Sequence, residues 1–319
     1  MMGEVMMNVK QAMFCMTRQC WEQGIFAQAM LETGDYENLE LVAYDIVLRQ
    51  STDGRLCNVE NTPAVTDSSF CVPAILAMGN RMNNEEYRRA AEKNILYLLK
   101  EAPRSLDGTL FHMQGSQEIW ADSAAFTPYA LALGGYDQEA CDQMLGILQK
   151  LYVPGKRLYN HIWDENEKAF KRPLAWGVGN GWILTGLLRL LLCLPEKCGK
   201  EKEVLQERFV ELLDSILSYM TEDGKFHDVL DSPETFFETE ICAMTAYSIF
   251  LAFGKGLVGQ AYLNKAFVIR KYVWSMAGAD GLVQGCASSP DFLNPGTSVE
   301  GQAHTLMMEK AFSVLPKTE

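Results

Sequence analysis

The sequence predicts an all-α fold, an (α/α)6 toroid in which six helical hairpins close into a ring. Three observations predict it. Gly-centred turns recur along the 319 residues at Gly54, Gly108, Gly155, Gly224 and Gly281, four of them as Asp-Gly. Each interval is long enough for two ordinary helices and their connections. Amphipathic helical segments alternate with segments that carry little charge. Clusters of polar and aromatic residues return at the same phase of each unit. Alternation of this kind puts the uncharged helices inside and the amphipathic ones outside.

Taken in chain order, residues 67–79 read as the first inner helix, low in charge throughout. Residues 85–100 read as an outer helix, with Tyr87, Ala91, Ile95, Leu98 and Leu99 on one stripe and charge opposite. Residues 122–133 and 181–194 are inner segments. Residues 202–220 repeat the outer pattern through Val204, Leu205, Phe209, Leu212, Leu213, Ile216 and Leu217. Residues 238–253 are inner again. Asp-Gly after a helix suits a left-handed cap, where glycine avoids the Cβ clash. An open superhelical array of hairpins is the structural alternative. The absence of a charged terminal repeat favours the ring. With no low-complexity stretch and no linker, residues 1–319 are expected to form one domain.

The formal charge of −13 and pI near 4.9 exclude a phosphate-neutralising surface and so argue against nucleic acid. Nine cysteines without a Cys-x-x-Cys read as reduced thiols. The N-terminus is Met-rich but has no basic segment followed by an apolar run, so no signal peptide is expected. The longest apolar run, residues 187–194, is broken by Arg189 and is too short to span a bilayer. These features predict a cytoplasmic protein without a membrane segment.

Six clusters stand at the predicted inner-helix starts. Residues 63–69 include Asp67. His112 stands ten residues before Asp122, which follows Trp120. Residues 159–164 hold His161, Trp163 and Asp164. Residues 176–182 read Trp-Gly-Val-Gly-Asn-Gly-Trp, with Trp176, Asn180 and Trp182. Residues 227–240 include His227, Glu238 and Glu240, and residues 294–302 include Glu300. A closed ring brings all six to one mouth. Indole beside carboxylate suits a sugar site, because the flat apolar ring stacks on a pyranose face while the acid works nearby.

Each residue has a plainer role as well. Asp67 and Asp122 fit N-caps as readily as catalytic acids. His112 and His161 divide evenly between site and scaffold. His227 and His304 read as structural, Trp21 and Trp274 as core, and Asp164 as a turn carboxylate. No His pair at helical spacing and no His-Glu-x-x-His occurs, so no metal is expected. No dinucleotide fingerprint and no serine nucleophile elbow occurs, so no cofactor is expected. Acid–base chemistry on a carbohydrate remains, with two carboxylates and aromatic platforms.

Residues 104–112, Ile119-Trp120-Ala121-Asp122-Ser123, Gly179-Asn180-Gly181-Trp182 and Glu238-Thr239-Glu240 together resemble the unsaturated glycuronyl and rhamnogalacturonyl hydrolases of glycoside hydrolase families 88 and 105. The likeness runs from about Asp35 to the C-terminus. It implies an (α/α)6 barrel with no metal or cofactor, acting on short oligosaccharides with a C4=C5 unsaturated uronic acid at the non-reducing end. It implies hydration of a vinyl ether, with Asp122 as acid and base. By the same resemblance Asp67 is a second carboxylate that positions substrate or water, and His112, His161 and Trp182 contact substrate. Trp120, Trp176 and Asn180 complete the expected substrate-binding set.

Two departures stand out. Val178 occupies a place where the family usually has arginine, which predicts poor handling of the standard rhamnogalacturonan disaccharide. The segment Ser123-Ala124-Ala125-Phe126-Thr127-Pro128 replaces bulkier apolar residues. A conventional glycosidase, an epimerase with His112 and His161 as facing bases, and an inactive sugar-binding protein are the alternative readings. The sequence carries no signal for oligomeric state.

Overall fold

The computed structural model describes residues 2–58, 62–289 and 292–316. Among them are twelve α-helices. The first six are α1 (Met2–Met16), α2 (Cys20–Thr33), α3 (Tyr36–Leu48), α4 (Val72–Arg81), α5 (Glu85–Lys100) and α6 (Ser123–Leu133). The others are α7 (Asp137–Leu151), α8 (Gly177–Cys193), α9 (Gly199–Ser218), α10 (Thr239–Gly254), α11 (Gln260–Ser275) and α12 (Val299–Ser313). The even-numbered helices form the inner ring. α6 packs on α8, α8 on α10, α10 on α12, and α12 on α2, which closes the circle through α4 and the 3₁₀ turn before it. The odd-numbered helices lie outside, α5 against α4, α7 against α6, α9 against α8 and α11 against α10. This is the closed (α/α)6 toroid, not the open array.

Burial follows the charge pattern that predicted it. α8 is buried from Gly177 to Leu191, and α10 is buried on all sides over most of its length. α5 buries Tyr87, Ala91, Ile95 and Leu98 and exposes its charged side. Each fully buried Leu or Phe contributes roughly 1.5–3 kcal/mol of apolar transfer. Phe70 and Phe126 stack at 4.6 Å inside the ring, and the Trp182 indole meets both edge-on.

Two element starts differ from expectation. The first inner helix divides into a 3₁₀ turn, Asp67–Cys71, followed by α4, with Pro73 in the first turn of α4. α8 begins at Gly177, four residues ahead of the predicted start. Its glycines do not break it, because they are where neighbours come closest. A Cβ on Gly181 would lie 2.2 Å from Met244 Sδ of α10, and one on Gly186 would lie 2.2 Å from the Ala124 carbonyl of α6. Of the five predicted turn glycines, Gly54, Gly108, Gly224 and Gly281 adopt positive φ. Gly155 does not; Arg157 takes the left-handed position in that turn.

The elements expected from the sequence include no sheet. Three strands pair antiparallel in the order β1 (Glu118–Trp120), β2 (Ile162–Asp164), β3 (Ala169–Arg172). Trp120 faces Ile162, and Ile162 faces Arg172 across an irregularity next to Trp163. The sheet ties the loop before α6 to the loop before α8. Ala121 N–H donates to the His161 carbonyl at 3.0 Å, which sets Asp122 beside His161. No helix among the described residues is long and apolar enough to cross a membrane. None of the nine cysteines is in a disulfide.

Candidate active site

The inner-helix starts surround a cavity of about 320 Å³. Among the described residues, four carboxyl groups reach it, Asp67, Asp122, Glu240 and Glu300, together with His112, His161 and a single guanidinium, Arg172. Trp21, Trp120, Trp176 and Trp182 supply the aromatic wall, and Phe126, Ile162, Val178, Ala287 and Phe292 the apolar remainder.

Asp122 sits at the N-cap position of α6, yet its side chain makes no capping bond. Its Oδ2 lies 3.0 Å from His161 Nε2. The other imidazole nitrogen, Nδ1, lies 3.0 Å from Arg172 Nη1. A guanidinium only donates, so Nδ1 accepts and the proton of the neutral ring sits on Nε2, donating to Asp122. Burial pushes His161 below its ordinary value and the Arg172 charge adds to this, against the pull of Asp122. Burial alone would raise Asp122. The hydrogen bond from His161, with the electrostatic pull of His161 and His112, outweighs it and holds the carboxyl below its ordinary value.

Asp67 is set the opposite way. Burial raises it, the nearby Asp122 charge raises it further, and His112 only partly opposes them. Its Oδ1 is 3.3 Å from His112 Nε2, but poorly aligned, so that this buried oxygen has no hydrogen-bond partner. His112 Nδ1 meets Thr66 Oγ1 at 2.8 Å and Ser123 Oγ at 3.0 Å. Its ring lies flat on Trp120, centroids 4.4 Å apart and planes 12° from parallel. One Trp120 face is therefore occupied by histidine. The Trp176 indole N–H donates to Asp228 Oδ1 at 3.0 Å, which fixes its ring beneath the Arg172 guanidinium, 5.3 Å away.

Seven of the eight predicted residues thus meet at one cavity: Asp67, His112, Trp120, Asp122, His161, Trp176 and Trp182. Asn180 does not. It is fully buried and spends its amide on the backbone, accepting from Tyr159 N–H and donating to the Tyr159 and Trp176 carbonyls. It braces the loop against α8 and does not line the cavity. Trp21, expected in the core, lines the cavity and donates its indole N–H to Glu300 Oε1 at 2.7 Å. Asp164 accepts from Asn166 and Glu167 N–H and holds a turn as expected. His227 Nδ1 is committed to the Thr235 carbonyl. His304 is buried inside α12, where burial depresses it to about 3.

Sequence reasoning passed over Arg172, Glu240 and Glu300 as site residues. A glutamate on an otherwise uncharged inner helix was the available signal for Glu240; Glu300 stands in the first turn of α12, which also carries Glu309 and Lys310. Ser298 Oγ donates to Glu240 Oε2 at 3.0 Å, while Glu240 Oε1 is buried without a hydrogen-bond partner. Burial raises both carboxyls, and for Glu240 the neighbouring Glu300 and Glu238 add to the shift. Both are therefore candidates to stay protonated and neutral at the cavity floor.

The family model described as Glycosyl Hydrolase Family 88 matches residues 1–305. This chain belongs to glycosyl hydrolase family 88. It is a glycoside hydrolase. It is 23% identical over 243 residues to the unsaturated rhamnogalacturonyl hydrolase YesR of Bacillus subtilis, covering 72% of this chain and 69% of that protein. It is 28% identical over 196 residues to an unsaturated 3S-rhamnoglycuronyl hydrolase of Formosa agariphila, covering 54% of this chain and 51% of that one. Its fold matches a crystal structure described as a possible GH105 member from Salmonella enterica serovar Paratyphi A. The TM-score is 0.85 at 18% identity, over 97% of this chain and 92% of that one.

Proposed function

We propose that this family 88 hydrolase releases a C4=C5 unsaturated uronic acid from short pectin-type oligosaccharides left by lyases. The observation that carries the reading is the pair Asp67 and Asp122, two interacting carboxyls driven apart by their surroundings. Because they interact, their protons belong to the pair. One member of the pair is biased to hold a proton, and the other to be the carboxylate that receives one. The names of the two curated relatives, both hydrolases of unsaturated uronyl products, support the substrate class.

The steps use that single proton. The reacting microstate is the less populated one, with the pair's proton on Asp122 although His161 favours the carboxylate there; from it the carboxyl protonates C4, and the electrons of the double bond leave positive charge at C5, shared by the ring oxygen. Water adds at C5 and gives its proton back to the carboxylate. The hemiketal then opens at the bond between C5 and the ring oxygen. A ketone remains at C5, and the hemiacetal at C1 collapses with release of the next sugar. One water is consumed and the proton count of the pair is restored. The neutral His161 steadies the Asp122 carboxylate throughout, since Arg172 keeps its proton on Nε2.

The epimerase alternative loses its bases. Both His161 nitrogens are committed, and His112 spends Nδ1 on two hydroxyls while Nε2 faces Asp67. The unpaired cysteines support a reducing compartment, so the cytoplasm is where we place the reaction.

Isotope labelling tests the mechanism. In D2O one deuterium is expected at C4 of the released keto-sugar, and in 18O water the new oxygen is expected first at C5. Early-time NMR of the products reads both. Label at C1 with none at C4 would mean direct attack at the anomeric carbon and would overturn hydration.

A further inference from the structure

We propose that Arg172 anchors the carboxylate of the substrate and so selects acidic over neutral sugars, a task that Val178 cannot perform. The proposal rests on the uronyl reading above for its substrate class.

Among the described residues, Arg172 is the only lysine or arginine lining the cavity. Around it stand four carboxyl groups, and a uronate entering this cavity leaves water for a site already rich in acids. Only a cation makes that favourable, and Arg172 is available. It makes no ion pair with a carboxylate among the described residues. Of its five N–H groups, the bond to His161 Nδ1 occupies one. A planar fork with free donors is the geometry that binds a carboxylate two oxygens at a time.

Its placement also fits the chemistry. Arg172 ends β3 opposite Ile162, and both side chains reach the cavity. The guanidinium lies over the Trp176 face, which gives it an apolar floor and fixes its plane. Arg172 and Asp122 flank one imidazole, each bonded to a different nitrogen of His161. The carboxylate carbon of an unsaturated uronate is bonded to C5. A carboxylate held by Arg172 therefore fixes the C4=C5 bond relative to Asp122. Val178, buried in the same wall, offers only a methyl surface. The cation is delivered from the strand before α8 instead of from its first turn.

The test compares an unsaturated galacturonyl disaccharide with its methyl ester, which keeps the alkene and loses the charge. Arg172→Gln is expected to raise KM for the acid roughly 10- to 100-fold, the range for losing a charge-assisted hydrogen bond, and to change the ester far less. Arg172→Lys is expected to recover most of the KM for the acid while kcat stays low, since a point charge replaces the fork that sets the His161 tautomer. Equal losses on acid and ester, or an unchanged KM for the acid, would overturn the anchor. Circular dichroism and thermal melting establish that each variant is folded, and Arg172→Lys carries the test if the glutamine variant is not. If the wild type turns over neither compound, the hydrolase reading fails separately. Calorimetric binding of the two compounds then decides. A wild-type preference for the acid that Arg172→Gln abolishes supports the anchor, and no preference in the wild type overturns it.

Discussion

Asp122→Asn is expected to lower kcat by roughly a thousandfold or more, the upper part of the range for losing a group that both donates and accepts the reacting proton. The substitution is mild for the fold. The amide keeps the size of the carboxyl, and its oxygen still accepts from His161 Nε2. The start of α6 does not depend on it, because the side chain makes no capping bond there. Substrate binding should survive, so KM should move little. Steady-state kinetics on a lyase-generated oligosaccharide, beside thermal melting, checks this. A folded variant with wild-type kcat would make Asp122 a bystander and move the chemistry to Asp67. The pair reading also fixes the shape of the pH profile. Activity should fall at low pH, where the pair takes up its second proton, and at high pH, where the raised Asp67 loses the proton that the pair needs.

The ring was legible because burial in this chain writes itself in charge. α8 and α10 are nearly free of charged residues and are enclosed on every side, while α5 and α9 carry their charge on one face. The carboxylate–histidine core of the site was legible for a related reason: Trp120, Asp122 and His112 are polar or aromatic groups set against apolar runs. Three things were not. The sheet joining residues 118–120, 162–164 and 169–172 is made of strands too short to show a period, and it exists through pairing between distant loops. Arg172 lies at the end of such a strand, beside an exposed lysine with the same charge, and only the pairing register turns one inward. Asn180 misled in the other direction. A polar residue in a Gly-rich aromatic cluster looks like a ligand contact, yet a buried loop must satisfy its backbone, and the Asn180 amide does so for Tyr159 and Trp176.

Stability is expected to fall as pH rises from about 5 toward 8, contrary to the usual behaviour of an acidic protein. Glu238, Glu240 and Glu300 are buried together near the starts of α10 and α12, and burial raises all three above the value that they have in the unfolded chain. The sign follows from linkage. Below the unfolded pKa both states hold the proton and nothing is lost. Above it the unfolded chain releases its protons while the folded protein keeps them, so stability declines until the folded pKa is reached. For Glu300, pushed up to about 7, that window contributes about 3 kcal/mol, an order-of-magnitude value. The depressed carboxyls, Asp122 among them, act oppositely and lose their contribution only toward acid. Maximum stability should therefore lie in mildly acidic buffer. Glu300→Gln should flatten the decline, since the amide stays neutral and its oxygen still accepts the Trp21 N–H. Melting temperatures of both proteins between pH 5 and 8 read the effect, and a wild-type melting temperature that holds level or climbs over that range would refute it. The same arrangement bears on catalysis. Burial that favours the protonated form of Glu240 and Glu300 lowers the negative charge at the cavity floor. A uronate then meets less negative charge than four ionised carboxylates would set against it, because burial raises Asp67, Glu240 and Glu300 and only Asp122 is lowered.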